Sequence, residues 1–186
     1  MHMAVSKRWT VDDVRDLPSD GNRYEIIDGN LVVTPAPSWS HQDAVGLLYS
    51  RIAAYLAAHP VGHVLFAPAD VVFADNTVVE PDVFVVPLVG GRKPHSWEQV
   101  GRLLLVVEVL SPSSARTDRV DKRDLYKREA VTEYWIVDVD AGVVERWRPE
   151  DERPEILSDR LTWQPDAAHP PLVVVLPEFF AEVVGT

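Results

Sequence analysis

Residues 103–112 read LLLVVEVLSP and residues 78–87 read VVEPDVFVVP. Both are short, β-branched aliphatic runs of the length of a buried strand, without the 3.6-residue period of an amphipathic helix. Each nevertheless carries carboxylates: Glu80 and Asp82 in one, Glu108 in the other. An unpaired carboxylate taken out of water costs several kcal/mol or surrenders its charge to a proton. The fold has to supply something that compensates, and a metal ion is one candidate.

Outward from these runs, helix and strand signals alternate. WTVDDVRDLP reads as a short helix capped by Thr10 and ending before Pro18. In RYEIIDGNLVVTPAP, Tyr24–Ile27 and Leu31–Thr34 flank Asp28-Gly29-Asn30 and predict a hairpin. Ser38 caps a helix to about Ala58, with Val45, Leu48, Ile52 and Tyr55 or Leu56 on one face and His59-Pro60 as its stop. Strands broken at Pro68 and ADNT fill the stretch to Val86, and GGRKPHSWEQVGR reads as a loop with one helical turn before the central strand Leu103–Leu110. Ser113 to Glu129 predicts a charged helix, and EYWIVDVDAGVVERWRP a hairpin turning at Asp140-Ala141-Gly142. The remainder reads as loops, a last strand at PLVVVL and a helical turn at EFFAEVV. This order predicts one α/β (α+β) domain over residues 1–186, a mixed sheet with a helix on each face.

Composition narrows the function classes. The chain has 186 residues, 46% hydrophobic and 25% charged, which suits a single globular core. With no cysteine there is no disulfide, thiolate zinc site or cysteine nucleophile. Any metal would sit among oxygen or imidazole ligands, which favours Mg2+ or Mn2+. No run is long and apolar enough to span a membrane, and MHMAVSKRWT lacks the apolar centre of a leader, so a cytoplasmic location is expected. A net charge of −11 disfavours nucleic-acid binding by the whole surface; residues 111–130 form a local basic feature with six Lys or Arg against four Asp or Glu.

YEIIDGNLVVTPAPSWSH, EPDVFVV, LLLVVEVLSPSS, TDRVDKRDLY and AVTEYWIVD, in this order, resemble the Uma-two family, a restriction-endonuclease-like branch of the PD-(D/E)XK nuclease superfamily. The resemblance implies a restriction-endonuclease-like mixed sheet and a metal held by Asp82, Glu108 and the carbonyl of Val109. Adjacent strands lie about 4.8 Å apart, close enough for facing carboxylates to share a hard cation. The superfamily's lysine would fall at Leu110; in the family that this chain resembles it stands on the following helix, at Lys122. From there a long stem can bring an ammonium to orient or help deprotonate a metal-bound water. Glu25 resembles an acid that extends the site. Asp118, Lys122 and Tyr126, spaced four apart, share a helical face, and His41 falls in phase with Val45, Leu48 and Ile52, on the core side. Ala130 stands where relatives carry glycine, and Ser114 where they carry threonine.

Each residue also has a plainer reading. Asp82 could cap a loop, Glu108 could pair with an arginine in the core, and Glu25 could face outward from its strand. His41 could be a structural histidine. Lys122 could pair with Asp118 on a solvated helix, worth about 0.5 kcal/mol. The function implied by the resemblance is Mg2+-dependent hydrolysis of DNA phosphodiester bonds; the rivals are a catalytically silent nuclease-fold module that binds nucleic acid or a protein, and a hydrolase of small phosphate esters. A homodimer is expected, because the helix from Ser38 to Ala58 and the hairpin around Trp135 and Trp147 offer more apolar surface than one sheet obviously covers.

Overall fold

The computed structural model describes residues 7–185, apart from the side chain of Glu98. Residues 1–6, on which the reading of the N-terminus rests, lie outside the described residues.

The two aliphatic runs are neighbouring strands. β3 (Gly62–Phe66), β6 (Val83–Pro87), β7 (Leu105–Val109), β8 (Tyr134–Asp138), β9 (Val143–Trp147) and β10 (Glu155–Leu157) form a six-stranded sheet in the order β10-β9-β8-β7-β6-β3. Only β7 and β8 run parallel. β6 and β7 are buried on both faces, which is why they read as aliphatic without alternation.

Residue parity divides the core. Val83, Val85, Leu105, Val107, Val109, Trp135 and Val137 pack against α2 (Trp39–Ala58), itself backed by α4 (Leu176–Val184). Phe84, Val86, Val106, Tyr134 and Ile136 face the other way, onto Leu125 and Tyr126 of α3 (Arg123–Arg128) and onto a second sheet. That sheet has the order β2-β1-β5-β4, from β1 (Arg23–Ile27), β2 (Asn30–Thr34), β4 (Val71–Ala74) and β5 (Thr77–Val79). Asp82 and Glu108 share the even parity of Phe84 and Val106, so they belong to the face between the two sheets.

Local chemistry explains the elements read correctly. Thr10 forms a capping box with Asp13 at α1 (Val11–Arg15), and Ser38 caps α2 through the N–H of His41. Asp28 and Gly29 both take positive φ, 51° and 79°, which a two-residue turn matched to strand twist requires.

Three elements differ from expectation. The helix after Ser114 is π-helical over Thr117–Lys122 before becoming α3, a wider turn common at functional sites. β10 and β11 (Arg160–Trp163) stand where loops were expected. β10 is an edge strand whose Glu155 accepts from Arg146 at 2.6 Å, and β11 pairs with β12 (Leu172–Val175) to bury Leu161 and Trp163. Their charged, short sequences lack the aliphatic signal because each is half-covered or at an edge. Finally, much of the apolar surface behind the dimer expectation is covered within the chain, although Trp39 at the start of α2 stays exposed. α2 is sandwiched between the sheet and α4, and Trp135 is fully buried against Trp163.

Candidate active site

β6 and β7 pair antiparallel with Val83 opposite Val107 and Phe84 opposite Val106. One further step of this register sets Asp82 opposite Glu108, on one face of the sheet, where cross-strand side chains come within reach of each other. Both are 2% exposed. They open onto a cleft of about 760 Å³ whose lining includes Arg23, Glu25, His41, Val109, Asp118 and Lys122.

The fold answers the charge question mostly with its own cations. Lys122 Nζ lies 2.9 Å from Glu25 Oε1, 2.9 Å from Glu108 Oε1 and 3.7 Å from Asp118 Oδ1. Tyr126 donates its hydroxyl to the same Glu108 oxygen at 2.9 Å. Glu25, buried rather than outward-facing, also accepts the Glu80 N–H at 2.8 Å. Asp82 Oδ1 accepts from Arg23 Nη2 at 2.9 Å; its Oδ2 takes the Val109 N–H at 2.8 Å and lies 3.1 Å from His41 Nε2.

This geometry sets the protonation states. Burial alone would raise the Asp82 carboxyl, but the hydrogen bond and charge of His41, the Arg23 guanidinium and the Val109 N–H hold it down at about 2. Burial works against the Lys122 charge, yet Glu108, Glu25 and Asp118 outweigh it and push the ammonium's pKa above its usual range. Glu108 is also raised, by burial and by Asp82, Asp118 and Glu25, despite Lys122. The two partners of one ion pair therefore shift the same way. Burial is the first cause for Glu108, and the charge count adds to it: Glu25, Asp82, Glu108 and Asp118 face only Lys122 and Arg23 as permanent cations, so negative charge is in surplus.

Among the described residues, no three Asp, Glu or His side chains stand ready as a cation cage, because Lys122 and Arg23 occupy the space between the acids. The donors still suit a hard cation. Among the described residues, the buried Asp118 Oδ1 has no hydrogen-bond partner. Mg2+ retains several waters and needs only one or two carboxylates, so a cage of three is not required. The surplus of negative charge and the oxygen-only donor set fit Mg2+ or Mn2+.

The residues singled out in the sequence converge, with differences of detail. Lys122 is 2% exposed, which removes the solvated-helix reading. The contact of Val109 with Asp82 is made through its N–H. His41 turns its Nε2 to Asp82 and leaves a buried Nδ1 with no partner among the described residues. Sequence reasoning missed Arg23, although its place two residues before Glu25 puts both on one face of β1.

The family model described as "Uma2: Putative restriction endonuclease" matches residues 11–180. The chain belongs to the Uma2 family. Its fold is also that of a crystal structure described as "a putative nuclease belonging to DUF820 from Anabaena variabilis ATCC 29413", with a TM-score of 0.76 over 94% of this chain and 99% of that one. At 18% identity this likeness speaks for the fold alone. No curated protein matches the Uma2 chain. Among its described residues, no helix is long and apolar enough to cross a membrane.

Proposed function

We propose that this Uma2 protein is a metal-dependent nuclease that hydrolyses DNA phosphodiester bonds in the cleft between its four- and six-stranded sheets. One observation carries the reading: Asp82 and Glu108 face the same cleft from neighbouring strands, with the Lys122 ammonium 2.9 Å from Glu108. Asp82, Glu108 and the Val109 carbonyl would hold Mg2+ or Mn2+. When bound, such an ion polarises a phosphate oxygen and acidifies a coordinated water.

The protein's own groups have separable roles. Lys122 is kept protonated by three carboxylates, so it contributes positive charge to the site as charge develops on the phosphate, and does not serve as the base. The proton of the attacking water goes to a carboxylate, for which Glu25, beside Lys122, is the candidate. His41 and Arg23 orient Asp82. Asp118 and Tyr126 hold Lys122 and Glu108 in place. A homodimer, with one site for each strand of a duplex, completes the proposal; light scattering that gives a monomer across micromolar concentrations removes that part.

The test is nicking of supercoiled plasmid. Wild type should nick with Mg2+ or Mn2+ and stop with EDTA, while Asp82→Asn and Glu108→Gln should be inactive but folded. The closed ion pairs of Arg23 and Lys122 favour one rival, a silent module that binds without cleaving. DNA binding with no nicking under either metal would establish it.

A further inference from the structure

The cleft presents three cations, and their placement separates them. The Lys122 ammonium has three N–H groups and three carboxylates around it, with its side chain 3% exposed. Arg119 is drawn to the far wall, its Nε 2.6 Å from Glu145 Oε1 and its Nη2 3.0 Å from Asp138 Oδ2. Arg23 is different. Its guanidinium spends one N–H on the Glu80 carbonyl at 3.0 Å and one on Asp82 Oδ1 at 2.9 Å, while its Nε stays 4.0 Å from Glu80 Oε2. A guanidinium carries five N–H groups, so three remain uncommitted, on a side chain 19% exposed in the cleft.

We propose that Arg23 is the phosphate-binding residue of this cleft, taking a backbone phosphate of the bound nucleic acid on its spare N–H groups beside Asp82. This rests on the nuclease reading and adds to it a residue that touches substrate. A planar fork suits two phosphate oxygens at once, which a lysine ammonium cannot match. A phosphate held there lies next to Asp82, on the acid side of the cleft. The surroundings also impose a condition. Glu25, Glu80, Asp82 and Glu108 all lie near the guanidinium and repel an anion, so Arg23 binds phosphate only once a divalent cation has offset the acids. Without substrate, the same guanidinium serves as the counter-ion of Asp82.

The experiment is fluorescence anisotropy of a labelled DNA duplex over a KCl series, in Ca2+ and in EDTA, with wild type, Arg23→Gln and Arg23→Lys. Mn2+ titration calorimetry without DNA is run beside it. Wild type should bind in Ca2+ and lose binding in EDTA. Arg23→Gln should weaken binding at least about tenfold, as expected for a lost charged hydrogen bond. Its log–log salt slope should be shallower by about 0.9, the value of one phosphate contact. Arg23→Lys should keep the slope but lose affinity, since it keeps the charge without the fork. Arg23→Gln should bind Mn2+ at least as tightly as wild type, because a competing cation has gone from Asp82.

Unchanged affinity and slope in Arg23→Gln, with Mn2+ binding intact, would overturn the assignment and leave the nuclease reading standing. If Arg23→Gln does not fold, unchanged affinity in Arg23→Lys overturns it equally. No metal-dependent DNA binding by wild type would sink both.

Discussion

Replacing Lys122 with alanine tests whether the ammonium is what allows four acids to be buried together. The residue is 2% exposed and lies 2.9 Å from both Glu25 and Glu108. Removing one member of a buried pair leaves an uncompensated charge and costs about 3–5 kcal/mol. For a chain of this size each kcal/mol moves the melting temperature by about 2–4 °C, so Lys122→Ala should melt roughly 6–20 °C lower at pH 7.5 in EDTA. The sign of the pH effect follows from Glu108 and Asp118, both raised in the folded state mainly by burial. A folded protein that binds more protons than the unfolded chain loses stability as pH rises. The deficit of Lys122→Ala should therefore grow as pH rises from the ordinary carboxylate range, and be smallest at about pH 4. A Lys122→Ala/Glu108→Gln double variant should recover part of the loss. The assay is urea and thermal unfolding across pH, with double-mutant coupling as the readout. A loss under about 1 kcal/mol at pH 7.5, the size of an exposed pair, would refute the reasoning.

Other outcomes follow from the same geometry. Mg2+ or Mn2+ at about 100 times its Kd should stabilise the wild type by about 2.7 kcal/mol, and Asp82→Asn with Glu108→Gln should abolish the shift in a thermal melt. Ala130 sits exposed after α3 at φ 52°, so Ala130→Gly should add up to about 1 kcal/mol to urea stability; no gain would mean that the strain is absent. Gly62 lies where a Cβ would stand 2.8 Å from both Val85 Cγ1 and the Val86 carbonyl oxygen, so Gly62→Ala should lose about 1–3 kcal/mol, read by the same unfolding curves.

Fold class, and the two strands that flank the acids, were legible from residue patterns alone. The two aliphatic runs could be nothing but interior strands, and the Asp28-Gly29 and Ala141-Gly142 turns marked their hairpins, because turn chemistry and burial act over a few residues. Carboxylates inside those strands flagged Asp82 and Glu108 for the same reason. The order of the blocks, through the family they resemble, brought in Lys122 and Glu25. Tertiary structure alone decided how the charges are balanced. Arg23 meets Asp82 from 59 residues away and Arg119 meets Glu145 from 26, and no local pattern encodes such pairs. It also decided that Lys122 is buried by three carboxylates rather than solvated. The π-helical segment Thr117–Lys122 could not be read in advance either, since nothing in TDRVDK distinguishes it from an ordinary turn of helix. Period and propensity are properties of neighbouring residues, whereas the energy of a buried charge depends on every group that the folded chain brings around it.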